Sequence, residues 1–108
     1  MKADALRGHL DALILATVET GALHGYAIAE SLVARSDGAL DVATGTLYPA
    51  LRRLESAGLL SSAWSTVGGR KRRTYRLTAS GRKALARERS AWRDLAGVVD
   101  AVLRPGTA

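Results

Sequence analysis

Apolar positions along this 108-residue chain change period twice. Up to Gly58 they recur every three or four residues, as on one face of a helix; from Leu60 to Leu77 they alternate; from Thr78 the helical spacing returns. The first helical stretch is expected over about residues 7–20, with Leu10, Leu13, Ile14, Thr17 and Val18 inward and Gly21 as its stop. The second is expected over residues 24–36, with Ile28, Leu32 and Val33 inward among small Ala27 and Ala29. Gly25 and Tyr26 at its start predict close backbone approach under an aromatic lid. Ser36-Asp37-Gly38 is a turn signal, and residues 39–42 are expected to be a short extended lead-in.

The third stretch, residues 43–60, is the most distinctive. Leu47, Leu51 and Leu54 form one inward stripe with Ala50 beside them. At 100° per residue the opposite side carries Gly45, Pro49, Arg52 and Ser56, flanked by Tyr48 and Arg53. A surface helix ordinarily mixes charge signs; here two arginines precede any acid, so the outward face suits an anionic partner. Thr44 or Thr46 is the expected hydroxyl cap, and with Thr46 in that role Pro49 falls in the first turn, where no intrahelical N–H bond is lost. Gly58 is the expected left-handed terminator.

Residues 60–66 and 73–77 then alternate as two short strands, with Trp64, Tyr75 and Leu77 inward. Between them Gly68-Gly69 marks a tight reversal, so Arg70, Lys71, Arg72 and Arg73 are expected at the basic tip of a hairpin. The last helix is expected from Thr78, its cap, to about Leu103: ~25 residues, ~37 Å at 1.5 Å per residue. Leu85, Trp92 and Val99 fall seven apart, with Leu95 and Val102 in complementary positions. A stripe this long exceeds what a small core needs and predicts pairing with a second copy. Helix, helix, helix, hairpin, long helix describes a mainly α winged helix-turn-helix: residues 1–77 the DNA-binding part, residues 78–108 a C-terminal dimerisation helix, together one compact unit.

Composition sharpens this picture. The net charge is +6, but twelve Lys/Arg face two acids between Arg52 and Arg93, a local +10, while the remainder is −4. Segregation of this kind points to a polyanion, nucleic acid before anionic membrane. With no cysteine, disulfides and thiolate metal sites are excluded, in keeping with a reducing cytoplasm, the expected location. No long apolar core follows Lys2, Asp4 and Arg7 to make a signal peptide, and the apolar runs are too short to span a bilayer. An enzyme is not expected: the only histidines, His9 and His24, lie in separate segments, with no nucleophile–base set near either. His24 is expected to be structural. No metal-ligand spacing occurs, and no cofactor or metal is expected.

Three segments, LHGYAIA from Leu23, GTLYPALRRLESAGLL from Gly45 and YRLTASGRKAL from Tyr75, resemble the PadR family of transcriptional regulators over nearly the whole chain, and its compact subgroup in the short C-terminal part. The resemblance implies a homodimeric repressor on an inverted-repeat operator, released by a small aromatic or drug-like compound. It also implies an effector contact at Trp92, matched by its place on the last helix. The residues themselves predict that Gly45, Thr46, Tyr48, Pro49, Arg52 and Arg53 meet the major groove and that Arg70, Lys71, Arg72 and Arg73 follow the backbone or adjacent minor groove. Leu85, Trp92, Leu95, Val99 and Val102 are the expected dimer contacts. Two rivals share the same residues: a nonspecific or architectural nucleic-acid binder without an effector, and a module whose basic wing meets an acidic protein.

Overall fold

The computed structural model describes residues 8–106, and its elements run α1 (Leu10–Thr17), β1 (Leu23–His24), α2 (Gly25–Arg35), α3 (Thr44–Ser56), β2 (Leu60–Val67), β3 (Arg70–Leu77) and α4 (Ala79–Leu103). Arg7 and the C-terminal two residues lie outside the described part. The sheet order is β1-β3-β2, both pairings antiparallel. The expected hairpin thus has a third strand: Leu23 pairs with Tyr75 and His24 with Thr74. Two residues are too few to show a period, so alternation could not reveal it.

Local chemistry fixes each boundary. α1 stops at Thr17, short of Gly21, because its last turn tightens: Val18 and Glu19 donate to carbonyls three residues back, and the Thr17 hydroxyl donates to Ile14 O. His24 caps α2, its Nδ1 accepting from the Ala27 N–H at 3.2 Å. α2 ends in a paired turn: Gly38 N–H donates to Val33 O and Asp37 N–H to Ala34 O, with Asp37 at φ 53°. The same 6→1 and 5→2 pair closes α3, where Leu59 N–H reaches Leu54 O, Gly58 N–H reaches Glu55 O, and Gly58 sits at φ 78°. Residues 39–42 lead into α3 without joining the sheet.

Two expectations about α3 are corrected at its entrance. Its N-cap is Ala43, with no side-chain cap, rather than Thr44 or Thr46. Pro49 is therefore the sixth helical residue, not a first-turn one, and cannot donate the bond that the Gly45 carbonyl would have received.

Among the described residues, fourteen buried apolar side chains make one core. α1 contributes Ile14 and Leu15, with Val18 just past it; α2 contributes Ile28 and Leu32; α3 contributes Leu47, Ala50, Leu51 and Leu54. Leu60, Tyr75 and Leu77 enter from the hairpin base, and Ala84 and Leu85 from α4. Leu85 is 2 % exposed, so its assignment to a dimer contact is corrected: it belongs to this chain's own core. The exit of α3 and the start of α4 are fused: the Thr78 hydroxyl donates to Gly58 O at 2.6 Å and accepts from Gly81 N–H, and Thr78 N–H donates to Leu59 O. Gly81 packs so tightly that a Cβ there would lie 2.1 Å from Leu59 O and 2.6 Å from Leu77 Cδ1.

Just past α1 the chain is tied to α4 by a two-pronged ion pair, both terminal nitrogens of the Arg89 guanidinium donating to Glu19 at 2.7 Å. The Arg89 hydrogen bond is the main reason the Glu19 carboxyl titrates below its usual range. Beyond this point α4 is largely exposed, apart from the edge-on contact of Trp92 with His9, and the described molecule as a whole spans 64 × 28 × 21 Å. Among the described residues no helix is long and apolar enough to cross a membrane.

Gly81→Ala reverses the usual helix rule: in place of the ~1 kcal/mol gain of an exposed Gly→Ala change, overpacking should cost about 1–3 kcal/mol in urea unfolding. A depressed carboxyl stabilises the fold above its unfolded pKa and loses that contribution as pH falls through the folded value. The Glu19→Gln variant should therefore melt less differently from wild type in acid than at neutral pH.

Candidate nucleic-acid interface

The inward stripe of α3 is buried as expected, which forces Gly45, Thr46, Tyr48, Pro49, Arg52 and Arg53 outward, and all six are exposed. They do not all stay free. Arg53 donates through Nη2 to Asp11 on α1, so one of the two guanidinium groups on this face is already engaged by a neighbouring helix. Tyr48 is half free: its ring is 39 % exposed, yet its other side lies over the first residue of α2, where a Cβ on Gly25 would meet Cε1 at 2.8 Å and the hydroxyl at 2.9 Å. The lid over Gly25 is therefore Tyr48 and not Tyr26. Tyr26 is 59 % exposed and stacks on His24, ring centroids 6.3 Å apart.

Gly68 and Gly69, at φ 58° and 79°, make the two-residue reversal whose twist matches paired strands. The basic run is not a loop: Arg70, Lys71, Arg72 and Arg73 are the first four residues of β3, paired with Val67, Thr66, Ser65 and Trp64. Strand alternation splits them. Lys71 and Arg73 share the face of Tyr75 and Leu77, and Arg70 and Arg72 share the other. Arg70, Lys71 and Arg73 are exposed and Arg72 is half-buried. Trp64 lies on the expected face but is 66 % exposed, a correction to its inward assignment. Only the hairpin base reaches the core, and Trp64 sits beyond it. There the ring receives Arg73, whose Cζ is 5.7 Å from the centroid.

Helix and wing meet around Tyr75. Burial pushes its phenol above the usual range; Arg73 and Arg52 work against that shift, while Glu55 and Tyr48 reinforce it. Groups from α3 (Glu55, Tyr48, Arg52) and from the wing (Arg73) are thus near enough to influence the phenol of one buried residue. Glu55, passed over in the sequence except as the first acid, joins α3 to both strands: its Oε2 accepts from the Ser62 hydroxyl at 2.6 Å and lies 3.5 Å from Arg73 Nη2. Its isolation within a basic segment was the available signal. Nothing in the spacing of Asp11 announced its tie to Arg53.

On α4, Trp92, Leu95, Val99 and Val102 are exposed, as are Val98 and Leu103. The Trp92 ring, 55 % exposed, takes His9 edge-on at 5.3 Å. An open groove between the end of α1 and α2, lined by Thr17, Thr20, Ala27, Glu30, Ala34 and Arg35 among others, includes none of the residues expected to meet DNA, an effector or a second copy.

Three helices carrying a hairpin wing, with an outward cationic helix beside that wing, define a winged helix-turn-helix protein of the DNA-binding kind. The transcriptional regulator PadR-like family matches residues 14–87, and the chain belongs to that family. It is a DNA-binding transcriptional regulator. A transcriptional regulator of Mycobacterium tuberculosis is 54% identical over 55 residues, 51% of each chain. A PadR family regulator from Eggerthella lenta, of known structure, is 35% identical with a TM-score of 0.81, covering 95% of this chain and 88% of its own. A transcriptional regulator from Clostridium thermocellum, also of known structure, is 27% identical with a TM-score of 0.86, covering 94% of this chain and 100% of its own.

Because the folded phenol of Tyr75 has the higher pKa, its neutral form stabilises the fold below the unfolded tyrosine value, and that contribution is lost as pH rises through the folded one. Tyr75→Phe should accordingly show a shallower loss of stability above about pH 10, read from thermal melts across alkaline buffers; equal slopes would show that the hydroxyl is not desolvated.

Proposed function

We propose that this chain is a homodimeric repressor that reads an inverted-repeat operator and leaves it when a small aromatic compound binds. What supports the reading most is the shared surface of α3 and the wing, joined where Glu55 of α3 takes the Ser62 hydroxyl at 2.6 Å and lies 3.5 Å from Arg73. In it the first turns of α3 enter the major groove, where Gly45 and Pro49 permit close approach. Thr46 and Tyr48 donate to phosphate or touch a thymine methyl, and Arg52 reads guanine or clamps phosphate. Arg70, Lys71 and Arg72 follow the backbone. The roles of Arg53 and Arg73 are smaller, since each already has an acid partner.

The apolar stripe on α4 supports the dimer. Trp92, Leu95, Val99 and Val102 lie on the exposed part of α4 beyond Arg89, and a row of this kind is costly to leave in water. Pairing there would hold two heads on half-sites one or two turns apart, ~10 bp per turn. Trp92 would face its counterpart near the twofold axis, where a planar compound could stack. Residues 1–77 and 78–108 divide the work between DNA and dimer, except that Leu85 serves the core of the head.

If each protomer neutralises roughly three to four phosphates, log affinity should fall with log salt at a slope of about −5 to −7 per dimer. Arg52→Ala should cost about 1–3 kcal/mol of operator binding and relax preference locally, whereas Arg72→Ala should weaken operator and scrambled duplexes alike. Gel-shift titrations on both duplexes check this, and a specificity ratio near one in wild type would favour the nonspecific binder. Leu95→Glu with Val99→Glu should sediment as a folded monomer that has lost operator binding; a dimer that persists would remove α4 from the interface.

A further inference from the structure

Glu55 is out of place for a surface that meets phosphate. It is the one acid in the run from Arg52 to Arg87, and it stands on the last turn of α3, between the helix and the wing. Near a polyanion a lone carboxylate weakens attraction, and its ion pair at this site returns little stability, because both partners are partly exposed and screened by solvent. What it does do is geometric. A single oxygen, Oε2, takes the Ser62 hydroxyl of β2 at 2.6 Å and lies 3.5 Å from Arg73 Nη2 of β3, so one atom spans α3 and both wing strands. Arg73 is held from a second side by Trp64, its cross-strand partner, whose ring is 5.7 Å from Cζ. The cation is thus charge-compensated and packed, while Arg70 and Lys71 have no such partner among the described contacts.

We propose that Glu55 is a specificity-determining residue: it retains Arg73 over Trp64, away from phosphate, and fixes the tilt of the wing against α3. This rests on the DNA-binding reading above. Phosphate contacts strengthen all sequences equally. Withholding one cation per protomer therefore lowers nonspecific binding, and a wing in fixed register with α3 preserves the base contacts of the operator. Arg73 is then a positioning partner and not a phosphate ligand in the wild type.

The test compares wild type, E55Q, R73Q and the E55Q/R73Q double variant. Each is titrated over a salt series with a duplex that wild type selects from a random pool and with a scrambled duplex of the same composition. E55Q should bind the scrambled duplex roughly three- to tenfold more tightly, with a salt slope steeper by about 2 per dimer from two freed cations, and a lower specificity ratio. R73Q alone should leave the slope near that of wild type, and the double variant should return to it. Two results would overturn the proposal: R73Q flattening the wild-type slope as a phosphate ligand would, or the double variant keeping the full E55Q gain, which would assign the effect to loss of the carboxylate itself and not to release of Arg73. If E55Q does not give a cooperative melt, W64T, altered at an exposed ring, releases Arg73 from its other side and must steepen the slope as well. Wild-type protein without salt-dependent duplex binding would instead defeat the DNA-binding reading itself, a failure visible before any variant is made.

Discussion

Leu47, Ala50, Leu51 and Leu54 seat α3 in the core, each at most 2 % exposed. A helix seated along one stripe has no rotational freedom left, so the positions 180° away are committed to the surface whatever their chemistry. The same helix is fixed along its axis by its exit, where the Gly58 turn is bonded to the Thr78 cap of α4 and closed over by Gly81. The outward residues of α3 therefore take their orientation from the core and their position from the start of the long helix. A change in the direction of α4 would be felt at the end of α3 through the Gly58–Thr78 bonds, with the Glu19–Arg89 pair as a second point of attachment.

The wing depends on the same body less completely. Leu60, Tyr75 and Leu77 anchor its base in the core, and beyond Tyr75 it is held by its ladder, the His24–Thr74 pairing with β1, the Ser65–Thr74 hydroxyl pair, the Arg73–Trp64 contact and the contacts around Glu55. Its cations are consequently held at graded distances from freedom, with Arg73 restrained by an acid and an indole and Arg70 at the turn carrying neither. A basic run that looks uniform in sequence becomes a set of unlike groups once strand pairing divides it between two faces.

Much of this was legible beforehand, for definite reasons. The stripe of α3, the Gly58 terminator, the Gly68-Gly69 reversal and the Thr78 cap are encoded within a few residues and do not wait on tertiary contacts. The misreadings have the opposite character. Trp64 has the right alternation but lies past the edge of the core, and alternation says which face a residue takes, not how far the core extends. Leu85 keeps heptad spacing with Trp92 and Val99, yet α4 is covered by its own head only over its first turns. Ala43 rather than a threonine precedes α3, and the tyrosine over Gly25 comes from the third helix, 23 positions beyond that glycine, a distance at which local pattern is silent. The placement of Arg53 against Asp11 is of the same kind.

Everything functional in this account requires that α3 and the wing present one surface to the duplex. The direct measurement is amide chemical-shift mapping of the labelled protein during titration with duplex DNA. The account predicts that the perturbed amides cluster in residues 44–53 and 64–73, with those of the α1–α2 groove unmoved. Perturbation of only one of the two segments, or centred on that groove, would contradict it.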